Sequence, residues 1–383
     1  MKIRHFAKLV VLIFFATTLS GCLSSTGGKG QDGGPGPASI EPDKAELVRS
    51  VSEFGPWIHD PSALQFENGR FMVFSTGCRK DYESGQEIAG LGINAWYRDN
   101  QTRTWRLADV LFTGSDKPAW WDELVPNDGG FWAPDVPFKW VMYYSFEAEN
   151  DSASAIGRAV ALGNAPNLRW KDDGVVLLMP ACREKDVQCP VAIDPAVFSD
   201  DKGNLFMAFG SGTSGIWIVE LDRRTGHLSP KAARGWSQDN DAYHRVAYRD
   251  IEVDYIEAPY VYRHPSNGYY YLFVDWGGCC RGVESSYNIR VGRSSSATGP
   301  YLDKAGRDMV DEGGSLVIKS EGRFIGPGHA SVYRHDHGRF AFAFHFYDSH
   351  DQGRARLEVR DLIWVDDWPV VAQTNFFEYP RRQ

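Results

Sequence analysis

The chain lacks any concentration of basic residues. Its 50 Asp and Glu outnumber its 41 Lys and Arg, for a net charge of −9. Binding to nucleic acid needs clustered cations to neutralise phosphates, so no nucleic-acid partner is expected. Long helical periodicity is absent as well. Cysteine is scarce, six in 383 residues, and no spacing among them suits a zinc site. Beyond the first two dozen residues no stretch is a candidate to cross a bilayer.

What is present begins with a short export-like segment. Lys2, Arg4 and Lys8 precede an apolar stretch from Leu9 to Leu19 that is too short to span a membrane. Leu19-Ser20-Gly21-Cys22 then resembles a bacterial lipobox, which makes Cys22 the expected lipidation site. Residues 1–22 are read as a lipoprotein signal. Residues 23–45, rich in Gly, Ser and Pro, read as a flexible tether. The folded domain is expected over 46–383, outside the cytoplasm and membrane-bound through lipid only. Of the other cysteines, Cys182 and Cys189 flank a short polar loop and could pair. Cys279 and Cys280 could bond one another, or one could reach Cys78.

The strongest signal is a five-fold recurrence. A polar residue, a small residue or proline, an apolar strand, usually a turn and an aromatic strand begin at Asp60, Asp135, Asp194, Glu257 and His329. The spacing is roughly 60 to 75 residues, longer than the ~40–50 of common propeller repeats. Turn signals such as Asn68-Gly69 and Asn267-Gly268 bound the strands. Two hairpins per repeat predict an all-β, five-bladed β-propeller with four-stranded blades; the alternatives, a β-helix or a pair of sandwiches, fit the repeat length less well. In such a ring the five opening residues are expected to converge at one end of the channel.

Carboxylates crowded in one cavity are costly to ionise together, so their pKa values split into an acid and a base. Glycosidic-bond hydrolysis uses such a pair. An Asp-Pro step is by itself a common turn, so the reading rests on the coincidence of several.

The segments Ile58-His59-Asp60-Pro61-Ser62, Trp132-Ala133-Pro134-Asp135, Ile193-Asp194-Pro195, Glu257-Ala258-Pro259-Tyr260 and Gly328-His329 resemble, in order, the motifs of glycoside hydrolase family 43. Cys279-Cys280-Arg281-Gly282, Ser286-Tyr287 and Val291-Gly292-Arg293-Ser294 look like its endo-acting α-1,5-arabinanases. The resemblance implies a five-bladed propeller that inverts the anomeric centre. It implies Asp60 as general base, Glu257 as general acid and Asp194 as the carboxylate that orients the acid and raises its pKa. It also implies that His329 helps to hold a central calcium ion, with water supplying most of the shell. Asp135, Trp132 and Phe131 are candidate sugar-binding residues, with Trp57, Trp120, Trp121 and Trp276 as further aromatic candidates. Arg293 is a candidate partner for a channel carboxylate. Ala330 departs from the Asn usual in arabinanases, and the second repeat lacks a glycine in its turn.

The leading expectation is therefore a monomeric, exported hydrolase of arabinan or arabino-oligosaccharides. The alternatives are an exo-acting α-L-arabinofuranosidase, a β-xylosidase of the same family, and a sugar-binding lipoprotein without turnover.

Overall fold

A computed structural model describes residues 58–80, 87–99, 101–112, 117–124, 130–147, 153–165, 167–180, 189–237, 239–250 and 255–378. The expected signal over 1–22 with Cys22, the expected tether over 23–45, and Trp57 lie outside them. Twenty strands form five antiparallel sheets of four, each built from consecutive strands. The first blade holds β1 (Gln65–Glu67), β2 (Arg70–Lys80), β3 (Glu87–Asp99) and β4 (Trp105–Leu111). The second holds β5 (Gly130–Phe138), β6 (Val141–Glu147), β7 (Ala153–Leu162) and β8 (Arg169–Pro180). The third holds β9 (Ala196–Ser199), β10 (Leu205–Phe209), β11 (Ile216–Leu221) and β12 (Tyr243–Ala247). The fourth holds β13 (Ile256–Arg263), β14 (Tyr270–Trp276), β15 (Asn288–Ser294) and β16 (Ser315–Ile318). The fifth holds β17 (Phe324–Arg334), β18 (Phe340–Asp348), β19 (Arg354–Val365) and β20 (Trp368–Asn375). This is the five-bladed propeller expected from the repeat.

Local chemistry accounts for the hairpins. Asn68 and Gly69 both take positive φ, 51° and 75°, as a two-residue turn matched to strand twist requires. In the second blade Trp140 takes φ 61° in the turn where no glycine is available. The core lies between blades. Phe71, Val73 and Trp105 of the first blade pack with Ala343, Leu357 and Val359 of the fifth, closing the ring by apolar burial. The Ile58 N–H donates to the Ala355 carbonyl at 3.1 Å across the same seam.

Register revises the repeat alignment. Cross-strand partners are His59 with Thr76, Trp132 with Ser145, Glu257 with Asp275 and Gly328 with His345. In the third blade the Gly210 N–H donates to the Ile193 carbonyl at 2.9 Å. The next residue in each blade takes positive φ: Asp60 50°, Ala133 45°, Asp194 55°, Ala258 53° and His329 56°. Equivalent positions are thus Asp60, Ala133, Asp194, Ala258 and His329. Glu257 stands one residue before this position, at the place equivalent to His59 in its blade, and Asp135 stands two residues after it. The expectation that Asp135 and Glu257 open their repeats as equivalents of Asp60 is corrected by this register.

The left-handed residue turns its N–H sideways, toward the neighbouring blade. Asp60 donates to His345 Nδ1 (3.2 Å), Ala133 to Thr76 Oγ1 (2.9 Å), Asp194 to Ser145 Oγ (3.2 Å) and His329 to Asp275 Oδ2 (2.7 Å). Each acceptor sits on the second strand of the preceding blade, so four side chains latch the ring and satisfy buried donors. In the third blade the latch position is Gly210, which has no side chain. The Ala258 N–H bonds instead to Asp194 Oδ2 at 3.0 Å.

Candidate active site

The inner strands begin around one small cavity lined by Pro61, Asp135, Pro195, Pro259, Tyr260 and His329 among others, drawn from all five blades. Asp60, Asp194, Glu257 and His329 are gathered at this end of the channel, close enough for their charges to act on one another.

Asp60 accepts on both oxygens. His59 Nδ1 lies 2.7 Å and His329 Nδ1 3.4 Å from Oδ1. The Thr76 hydroxyl donates to Oδ2 at 2.6 Å. Burial raises the Asp60 pKa, but the imidazoles of His59 and His329 outweigh it and hold it well below the usual carboxylate value. Asp60 is therefore ionised, fixed in place and able to accept a proton from water.

Glu257 has the opposite environment. Burial, then the charge of Asp194, push its pKa well above the usual value, with Asp275 and Asp60 adding to the rise. The Tyr287 hydroxyl bonds Oε1 and the Ser211 hydroxyl donates to Oε2 at 2.8 Å. The protonated form of the acid is favoured, and two hydroxyls stand ready to stabilise the carboxylate left after proton transfer. Tyr287 reaches it across Gly328, where a Cβ would stand 2.3 Å from Tyr287 Cδ2 and 2.5 Å from Asp275 Oδ2.

Asp194 is raised by burial to about 6, with His329 lowering it and Asp60 raising it. Through the Ala258 N–H it also grips the strand that carries the acid. Asp135 is raised by burial to about 7, against the bond from the Val197 N–H at 2.6 Å and the charge of His329. Burial lowers the His329 pKa, but Asp60, Asp194 and Asp275 raise it to about 9.

Several sequence-level candidates fall elsewhere. Phe131 is 1% exposed and stacks on Trp121, ring centroids 4.0 Å apart, so it has no face to offer a sugar. Trp121 is buried in the same cluster. Trp276 is buried, with the guanidinium groups of Arg249 and Arg290 against its ring. Trp120 donates its indole N–H to Asp172 and packs on Phe146. Trp132 remains half-buried at the position equivalent to Glu257 and His59. Arg293 is not in the channel; it lies over Tyr269 and Trp368 and donates to the Asp367 carbonyl. Cys279 and Cys280 bond one another. Cys189 is disulfide-bonded; Cys182 and the side chain of Cys78 lie outside the described residues, so the expected pairings of these cysteines lie outside them too.

His59, Thr76, Ser211, Tyr287, Asp275 and His345 escaped the sequence reading of the site. His59 and Tyr287 stood inside the quoted motifs, whereas the others are single polar residues in or just after the second strand of a blade, visible only through register.

Known proteins share this architecture. An extracellular exo-α-(1→5)-L-arabinofuranosidase of Cellvibrio japonicus is 35% identical over 332 residues, 84% of this chain and 88% of its own length. An extracellular endo-α-(1→5)-L-arabinanase of Bacillus subtilis is 32% identical over 316 residues, 82% of this chain and 87% of its own length. A solved α-L-arabinanase of Cellvibrio cellulosa, complexed with arabinohexaose, matches with a TM-score of 0.66 and 32% identity, covering 83% of this chain and 96% of the solved one. The family model for glycosyl hydrolases family 43 matches residues 57–369, and the chain belongs to that family.

Proposed function

We propose that the protein hydrolyses α-1,5-linked arabinan with inversion, in the manner of an endo-arabinanase. The observation that carries this is the opposed pair: Asp60 held ionised by two imidazoles and a hydroxyl, and Glu257 held protonated by burial and Asp194. Glu257 gives its proton to the glycosidic oxygen. Asp60 takes a proton from the water that attacks the anomeric carbon on the other face. Asp194 keeps the acid's pKa high and ties down its strand. Trp132 and Asp135 are proposed to contact the sugar, the first by its ring face and the second by its carboxyl group.

An exo-acting reading, releasing single arabinose units, is favoured by the 35% identity to the Cellvibrio japonicus exo-enzyme. Product length separates the two: oligosaccharides of mixed size mark endo cleavage, and arabinose alone marks exo cleavage.

A central calcium ion fits the residues at the channel. Asp275, whose Oδ2 accepts the His329 N–H, leaves its buried Oδ1 without a hydrogen-bond partner, and a carboxylate oxygen suits a hard cation. His329 and Asp135 line the cavity and would hold it together with water. When bound it would supply positive charge beneath the sugar. Elemental analysis of purified protein, with activity after chelation, tests this; metal-free and fully active protein rules it out.

Export is proposed from the basic, apolar and Leu19-Ser20-Gly21-Cys22 segments, with Cys22 as the lipid anchor at the cell envelope. Labelling with a fatty-acid analogue, lost in Cys22→Ala, tests the anchor. For the reaction, one incubation with linear arabinan followed by NMR of the fresh product anomer is decisive. Inverted product is expected, with a loss of roughly 10³-fold in Asp60→Asn and in Glu257→Gln. Retained configuration overturns the mechanism.

A further inference from the structure

A disulfide joins the adjacent residues Cys279 and Cys280, both half-buried, next to the proposed base. Cys280 takes φ 66°, a left-handed conformation uncommon outside glycine. Its N–H there donates to the Tyr347 hydroxyl oxygen at 2.8 Å. Cys280 Sγ lies 4.0 Å from the same oxygen. The Asp60 carboxylate can only accept, so the 2.7 Å contact between His59 Nδ1 and Asp60 Oδ1 places the ring proton on Nδ1. With the proton on Nδ1, His59 Nε2 is the acceptor for the Tyr347 hydroxyl, at 2.7 Å. His59 is further confined by stacking on His345, ring centroids 4.0 Å apart, and by Cys280 Sγ 3.9 Å from Nε2.

We propose that the Cys279–Cys280 disulfide is a redox-sensitive positioning element for the general base. Closed, it keeps the Cys280 amide on Tyr347, and Tyr347 in turn fixes the His59 tautomer that donates to Asp60. Reduction by a dithiol adds two electrons and two protons to the S–S bond. Two thiols form, and the reagent leaves as a cyclic disulfide. Cys280 is then free to return to negative φ, and its N–H withdraws from Tyr347. The Tyr347 proton is no longer committed to His59. The other tautomer becomes accessible, and it turns an imidazole lone pair toward the carboxylate. The loss falls on turnover, because the relay acts through Asp60 and not through binding of the sugar chain.

The inference rests on the reading of Asp60 as base. The test is steady-state hydrolysis of an arabino-oligosaccharide by the full chain before and after dithiothreitol, with the opened cysteines identified by alkylation and mass spectrometry. Opening of Cys279–Cys280 is expected to lower kcat on the order of ten-fold while KM stays within about two-fold, and reoxidation restores it. The Cys279→Ser/Cys280→Ser protein should show the low kcat without response to dithiothreitol. Tyr347→Phe should show a similar loss. In nitrogen NMR of the oxidised protein the His59 proton should reside on Nδ1. Unchanged kcat in protein alkylated at both cysteines overturns the proposal, as does a proton on Nε2 or an equal dithiothreitol effect in the double variant. If the oxidised wild type does not cleave the oligosaccharide, or if Asp60→Asn retains full turnover, the reading of the base itself has failed.

Discussion

Asp194 Oδ2 accepts the backbone N–H of Ala258, the residue directly after Glu257, at 3.0 Å. The bond exists because Gly210 leaves the third blade without the side-chain latch that Thr76, Ser145, Asp275 and His345 supply in the others. A structural vacancy in the ring is filled by a carboxylate, and that places its charge beside the acid.

Asp194→Asn keeps an acceptor for Ala258 but removes the charge that helps to raise Glu257. Removing a negative neighbour lowers the acid's pKa, so activity should begin to fall at lower pH than in the wild type. Asp194→Ala loses the bond as well and should cost kcat roughly 10² to 10³-fold. Profiles of kcat against pH for both variants check this. An unmoved alkaline limb in the Asn variant contradicts the assigned role.

Gly328→Ala should damage the acid from a distance. Its Cβ has no room beside Tyr287 and Asp275. Displacing Tyr287 withdraws a donor from Glu257, so kcat should drop about ten-fold or more, with Tyr287→Phe showing a comparable loss. Equal kcat in Gly328→Ala and wild type shows that the Tyr287 contact carries no function.

Thr76 joins latch and base. It accepts the Ala133 N–H at 2.9 Å and donates to Asp60 at 2.6 Å. Thr76→Val leaves a buried N–H unpaired, a cost of about 1–3 kcal/mol, and also frees one oxygen of the base. Melting temperature and kcat should both fall, measured by calorimetry and by arabino-oligosaccharide hydrolysis. Thr76→Ser, which keeps the hydroxyl, should restore most of each.

Stability should decline as pH rises from 5 to 8 in protein treated with a chelator. Asp135, raised to about 7, and Asp194, raised to about 6, bind protons more tightly folded than unfolded. A raised folded pKa contributes stability below the unfolded value and loses it as pH climbs through the folded one. His329, raised to about 9, loses its contribution only at higher pH. Asp135→Asn keeps an acceptor for Val197 and should lift the melting temperature at pH 8 by a few degrees relative to wild type. A wild-type melting temperature that is flat or rising across this range counts against the burial argument.

Much of the fold was legible because blade formation is a local affair. Alternating apolar residues and turns such as Asn68-Gly69 are set by neighbours in the chain, and repetition multiplies the signal. The carboxylates Asp60, Asp194 and Glu257 stood out because Asp-Pro and Glu-Ala-Pro recur at strand starts. Trp132 and Phe131 are adjacent in sequence, yet successive strand residues face opposite ways, and only Trp132 escapes the core. Arg293 looked like a channel cation, but its strand is the third of its blade and lies away from the axis.

The sequence by itself determined the number of blades, their order and the carboxylates near the channel, since these follow from periodicity along one chain. Tertiary structure decided which positions are equivalent and which side chains touch. Only cross-strand register pairs Glu257 with Asp275 instead of aligning it with Asp60. Only ring closure brings His345 to the Asp60 N–H, across 285 residues. Hydrogen bonds and pKa values depend on distances of a few ångströms between residues far apart in the chain, and those distances arise only when the blades close on one another.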